Sequence, residues 1–150
     1  EARGRSPRRA GSTYDTEAPL RDAIRSASSR DFLRLVIALL EGMGYIGAAK
    51  TIGPAPSGAQ GIVDEDAYGA RAYVEAIQTV APIDEPAAAN FIAAIDRYRL
   101  QSGILIATTT FDAKARAHCD ESSHQIALID GSRLATLARD LGLDPLKRDA

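Results

Sequence analysis

Four consecutive apolar residues, Ile104-Leu105-Ile106-Ala107, constrain this chain more than any other feature. A strand with one face in water alternates apolar and polar side chains, and this run does not. It predicts a strand covered on both faces, and therefore helices on both sides of a sheet. The flanking pattern supplies them. Ser28 and Ser29 cap a helix whose Phe32, Leu35, Val36, Leu39, Leu40 and Met43 share one stripe, with Gly42 and Gly44 ending it. Pro86 to Leu100 forms a second helix with Phe91, Ile92, Ile95 and Tyr98 on one face, stopped by Ser102-Gly103. Phe111 to Cys119 and Leu134 to Leu141 read as two more, with Gln125 to Ile129 a strand between them.

Between the first two helices lie three strand candidates: Tyr45 to Ile52, Gly61 to Asp66 and Ala72 to Val80. The turn-rich Gly53-Pro54-Ala55-Pro56-Ser57-Gly58 separates the first pair and Ala67-Tyr68-Gly69 the second. The predicted order is helix, three strands, helix, strand, helix, strand, helix. A meander followed by crossovers gives an α/β fold with a mixed sheet between helices.

A chain of 150 residues is one domain's worth. With 5% aromatics and no Trp, its core must be Ala, Ile, Leu and Val. Residues 1–28 are expected to be a flexible basic tail or linker, holding Arg3, Arg5, Arg8 and Arg9 and a weakly helical stretch at 17–27. The domain proper is expected over 29–143, and 144–150 as a C-terminal tail. Glu1 in place of Met reads as a fragment or a processed chain. The net charge of -2 excludes a polycation, so contact with nucleic acid needs a local patch. The single cysteine, Cys119, fits a reducing cytoplasm, and no apolar run is long enough to span a bilayer.

Several short pieces, taken in order, resemble the catalytic domain of Mrr-type restriction endonucleases, a branch of the PD-(D/E)xK nuclease superfamily. They are Phe32-x-x-Leu35-Val36 with Leu39-Leu40-x-x-Met43-Gly44-Tyr45; Thr51 with Ser57-Gly58-x-x-Gly61-Ile62; Tyr73-Val74-Glu75-Ala76; Gly103 through Phe111; and Leu128-Ile129-Asp130-Gly131 with Leu134 and Leu137. Together they span about residues 30–142. The resemblance implies a restriction-endonuclease-like mixed sheet flanked by helices, an αβββαβ core followed by αβα. It also implies a DNA substrate, Mg²⁺, a homodimer to cut two strands, and a separate DNA-binding domain on the N-terminal side.

Metal-dependent cleavage of a phosphodiester needs oxygen ligands for Mg²⁺, an activated water and positive charge to stabilise the transition state. Much of the family's apparatus is absent. Ala59 and Val63 stand where the family has Asp, Ile77 where it has Lys, and Leu33 where Glu is common. Glu75 keeps the third-strand acid position. Neighbours offer substitutes: Asp64 as a metal ligand beside Glu75 if a β-bulge turned it round, Gln78 one past the Lys position, and Arg97 or Arg99 as a replacement cation. The apolar Val63 and Ile77 read as core residues.

Thr108-Thr109-Thr110 follow a buried strand, where Thr108 and Thr109 would either touch a DNA phosphate or cap the next helix. His118, Cys119 and His124 lack the partners of a closed zinc site and read as partly exposed polar residues. Two functions follow. The first is a DNA endonuclease domain using Mg²⁺ through Glu75 and Asp64. The second is a cleavage-deficient relative kept as a DNA-binding or protein-assembly module. A generic α/β ligand-binding domain is the third. The side chains around Glu75 discriminate between the first two, and loss of DNA affinity at low salt would favour the third.

Overall fold

The computed structural model describes residues 17–143 and resolves them into six helices around a five-stranded mixed sheet. In chain order these are α1 (Ala18–Arg25), α2 (Ser29–Gly42), α3 (Ala48–Thr51), β1 (Gly53–Ala55), β2 (Gly58–Asp64), β3 (Arg71–Ile77), α4 (Glu85–Arg97), β4 (Ser102–Ala107), α5 (Ala113–Glu121), β5 (Gln125–Ile129) and α6 (Gly131–Asp140). The strands lie side by side in sequence order. β1 to β3 form an antiparallel meander, while β4 and β5 add parallel. This is the predicted α/β architecture with its αβββαβ core.

The crossovers decide which face each helix covers. Two parallel additions in the same direction, each right-handed, put α4 and α5 on one face. There Tyr73, Ile77, Phe91, Ile95, Leu105 and Ala107 form a core. α1, α2, α3 and α6 cover the other face with a core that includes Phe32, Val36, Leu39, Leu40, Val63, Val74, Ile104, Ile106 and Leu134. β4 is thus buried on both faces, as its unbroken apolar run requires. Gly103 permits the close seat of α4: a Cβ there would lie 2.5 Å from the Ile95 side chain and 2.6 Å from Phe91. Side-chain caps start the helices, with Ser28, Asp84, Asp112 and Asp130 each accepting from a backbone N–H in the first turn.

Three expectations need correction. Tyr45 to Ile52 is not a strand. Ile46 makes a single bridge to Asp64, and then Gly47 at φ 85° opens α3, because Ala48-Ala49-Lys50 are good helix formers. The first strand lies instead inside the expected loop, at Gly53–Ala55. Its Pro54 is tolerated because β1 is an edge and needs no outward donor. The folded body also begins before residue 29: Leu20 and Ile24 of α1 are buried in the α2–α6 core, and Arg139 reaches Glu17 at 2.7 Å. The expected tails at 1–16 and 144–150 lie outside the described residues. No helix among the described residues is long and apolar enough to cross a membrane.

Candidate functional site

The site is made by what the helices leave uncovered. On the α4 face, helices cover β3 to β5, and the β2 side chains Gln60, Ile62 and Asp64 lie beyond them. The result is a cleft of about 490 Å³ lined by these three residues with Arg71, Tyr73 and Tyr98.

The register assigns each motif position to a face. Residues opposed in an antiparallel pair share a face. Gln60 pairs with Glu75, Ile62 with Tyr73, and Asp64 with Arg71, so all six belong to the cleft side together with Ile77. Ala59 pairs with Ala76 and Val63 with Ala72 on the other side, where Ala59 is 0% and Val63 1% exposed. The two apolar residues therefore sit in different cores: Val63 under α2 and α3, Ile77 under α4.

Asp64 reaches the face of Glu75 without any bulge, since β2 and β3 pair without interruption from Gly58 to Asp64. The expected rotation is unnecessary because Val63, not Asp64, points away. Sharing a face does not bring the two carboxylates together. Asp64 is four positions along β2 from Gln60, the partner of Glu75, which is about 13 Å at the usual strand rise.

Glu75 instead has a phenol beside it. The Tyr73 hydroxyl donates to Glu75 Oε1 at 3.3 Å and lies 3.5 Å from Gln60 Oε1. Burial pushes the Glu75 carboxyl above its ordinary pKa, and the Tyr73 hydrogen bond only partly opposes this. Tyr73 is itself raised, first by burial and then by the charge and hydrogen bond of Glu75, against the lowering effect of Arg97. The Tyr73 ring is stacked with Tyr98 at 5.6 Å and 25°, and the Arg97 guanidinium lies 5.5 Å from the Tyr98 centroid.

Magnesium fits this arrangement poorly. It favours ionised carboxylates in near-octahedral geometry. Here one carboxylate is held toward its neutral form by burial, an effect that the Tyr73 hydroxyl donor only partly offsets. Among the described residues no three His, Cys, Asp or Glu side chains gather as a metal-holding group.

The other candidates have structural roles. Gln78 does not face the cleft: its Nε2 donates to the carbonyls of Ile24, Arg25 and Ala27 at 3.2, 3.2 and 2.8 Å, clamping the end of α1. Thr108 is buried, donating to the Thr79 carbonyl at 2.6 Å and accepting from the Thr79 N–H at 2.8 Å, while Thr109 leans on the Val80 carbonyl at 3.5 Å. Neither caps the next helix, whose cap is Asp112. Arg97 stands at the rim beside Tyr98, and exposed Arg99 follows it with a left-handed backbone at φ 58°. Cys119 is buried rather than partly exposed, while His124 is half-buried with its Nε2 2.7 Å from Asp96.

Gln60, Arg71, Tyr73 and Tyr98 went unnoticed as site residues in the sequence. The available signal was parity: once Glu75 is assigned to a face, Tyr73 shares it as a residue two positions away on the same strand. Gln60 and Arg71 needed the register of the hairpin as well.

The comparisons bear on the fold and the family. No curated protein matches the chain by sequence. Among solved structures, the DNA modification-dependent restriction endonuclease AspBHI is similar at a TM-score of 0.64 and 16% identity, over 91% of this chain and 39% of that one. The MspJI restriction endonuclease, solved in complex with a 27-mer oligonucleotide, is similar at a TM-score of 0.53 and 17% identity, over 93% of this chain and 34% of that one. The chain thus spans well under half the length of either. At these identities the likeness concerns the fold, and the family comes from the sequence itself. The Mrr catalytic-domain model, described as restriction endonuclease, matches residues 24–138, from the last turns of α1 into α6, so the chain belongs to the Mrr-type restriction endonuclease family.

Proposed function

We propose that this domain engages DNA on a nuclease fold from which metal-dependent cleavage has been lost. One observation carries the reading. Val63 and Ile77, which the sequence resemblance sets at the family's Asp and Lys positions, pack into separate cores, and Glu75 has a phenol beside it instead of a second acid. Replacing a buried charge cluster with apolar packing stabilises a fold, so the exchange also has a physical benefit. Support for DNA comes from membership in the family and from MspJI, whose structure contains an oligonucleotide. A DNA-reading domain outside this segment fits the 39% and 34% shares of the similar chains. A homodimer loses its motive when neither copy cuts.

The test is calorimetric titration of Mg²⁺ and Mn²⁺ into the chain and into Glu75→Ala, with plasmid nicking in parallel and DNA retention at low salt. The expected result is no saturable metal binding, no nicking, and DNA retained. Saturable binding that disappears in Glu75→Ala, accompanied by nicking, would mean that a working site has been rebuilt. Loss of DNA retention would favour assembly with another protein.

A further inference from the structure

We propose that the cleft takes an unpaired nucleobase of DNA, stacked against the column formed by Tyr73, Tyr98 and Arg97, in place of a metal-bound phosphate. This rests on the reading that the domain engages DNA, and it specifies which part of DNA the cleft accepts.

The column has a buried root and an open end. Tyr73 is 5% exposed and anchored by Phe91 at 5.7 Å, whereas Tyr98 is 46% exposed at the cleft. Rings stacked at 5.6 Å and capped by a guanidinium form a platform that a flat heteroaromatic ring extends. Arg97 can carry the base on its own plane or move aside to the adjoining phosphate.

The polar lining discriminates between base and phosphate. Gln60 both donates and accepts, Asp64 accepts, and Arg71 donates. That mixture matches the edge of a base, which presents donors and acceptors together. A phosphate offers only acceptors: it could use Arg71 but would leave the Gln60 carbonyl and the Asp64 carboxylate without a donor, whereas a base edge answers all three. The volume of about 490 Å³, floored by the apolar Ile62, is in the range of small-ligand clefts. A base within a duplex has its faces covered by its neighbours and its pairing edge occupied, so the cleft selects one that is unpaired.

Fluorescence anisotropy would compare three labelled oligonucleotides at low salt: a single strand, an abasic strand of equal length, and the matching duplex. The single strand should bind most tightly. Tyr98→Ala should weaken it about tenfold, Tyr98→Phe should leave it nearly unchanged, and neither should alter abasic binding. The chain has no Trp, so Tyr98→Trp supplies a single fluorophore that a stacked base quenches and an abasic strand does not. Equal affinity for the abasic strand, or an unquenched Trp in the presence of bound single strand, would overturn the proposal while the DNA reading stood. Failure of all three oligonucleotides to bind would overturn both.

Discussion

Val63 stands where the sequence resemblance sets a family Asp, and its burial gives that reading an energetic test. The direct test introduces the residues that the resemblance implies, with Val63→Asp and Ile77→Lys. The register argues that this fails. Val63 is 1% exposed among apolar side chains on the face away from Glu75, so an Asp there is a buried carboxylate without a cation. Denaturant titration of Val63→Asp should show a loss of about 3 kcal/mol or more, with no gain of nicking in the double variant. A stable double variant that nicks plasmid would mean that the strand register differs from the one described. Glu75 permits a second prediction at this scale. Its folded pKa is raised by burial, so the neutral form is favoured in the fold. The stability it contributes is fully present below the ordinary value and is lost as pH rises through the raised one. Glu75→Gln stays neutral throughout. Its melting temperature should exceed that of the parent at about pH 8, and the advantage should vanish by about pH 4. A constant difference across that range would mean that Glu75 is ionised in the fold with no penalty. That Val63 and Ile77 are core residues was legible in their hydropathy alone. That they occupy opposite cores was not, because the pairing of β2 with β3 depends on how the turn at residues 65–70 closes.

At the scale of elements, long apolar patterns were legible and short edge pieces were not. β4 and the stripe of α2 each carry enough apolar residues to dictate a partner surface, and they sit where the pattern placed them. β1 has three residues, one of them Pro54, and no periodicity can reveal it; it exists because Gly58 turns the chain back against β3. A Cβ at Gly58 would lie 2.0 Å from the Ala76 carbonyl oxygen, so that approach requires glycine. α1 was read as part of a tail because its contacts are remote. Gln78, 51 to 54 positions away, holds the carbonyls that end it, and Leu20 and Ile24 complete the core. Removing that amide leaves carbonyls at the C-terminal end of α1 without their donor. Gln78→Ala should therefore cost about 1–3 kcal/mol and expose α1 first, seen as early loss of amide protection at residues 20–25 by hydrogen exchange. Uniform loss of protection across the sheet would instead make Gln78 part of the central core, and unchanged stability with altered DNA binding would return it to the site.

For the whole molecule, charge is the term through which the proposed engagement of DNA is tested. Residues 17–143 carry 12 Lys and Arg against 16 Asp and Glu, whereas residues 1–13 carry four Arg, Arg3, Arg5, Arg8 and Arg9, against Glu1 alone. The described body is thus mildly acidic, with Arg71 lining the cleft and Arg97 over Tyr98, and the densest run of positive charge in the sequence lies at residues 1–13. Salt dependence separates the two contributions, because each phosphate neutralised on duplex DNA adds about 0.9 to the slope of log affinity against log salt. If the arginines at the start of the chain supply nonspecific attraction, deleting residues 1–13 should lower that slope by about 2–4 and weaken duplex binding at low salt. Tyr98→Ala should leave the slope unchanged, since stacking releases no counterions. An unchanged slope after the deletion would transfer the phosphate contacts to the cations at the cleft, and a further Arg97→Ala or Arg71→Ala substitution should then lower it by about one each. The two sets of variants act on different terms of the same affinity. They therefore separate what the cleft contributes by stacking from what the cations contribute by charge.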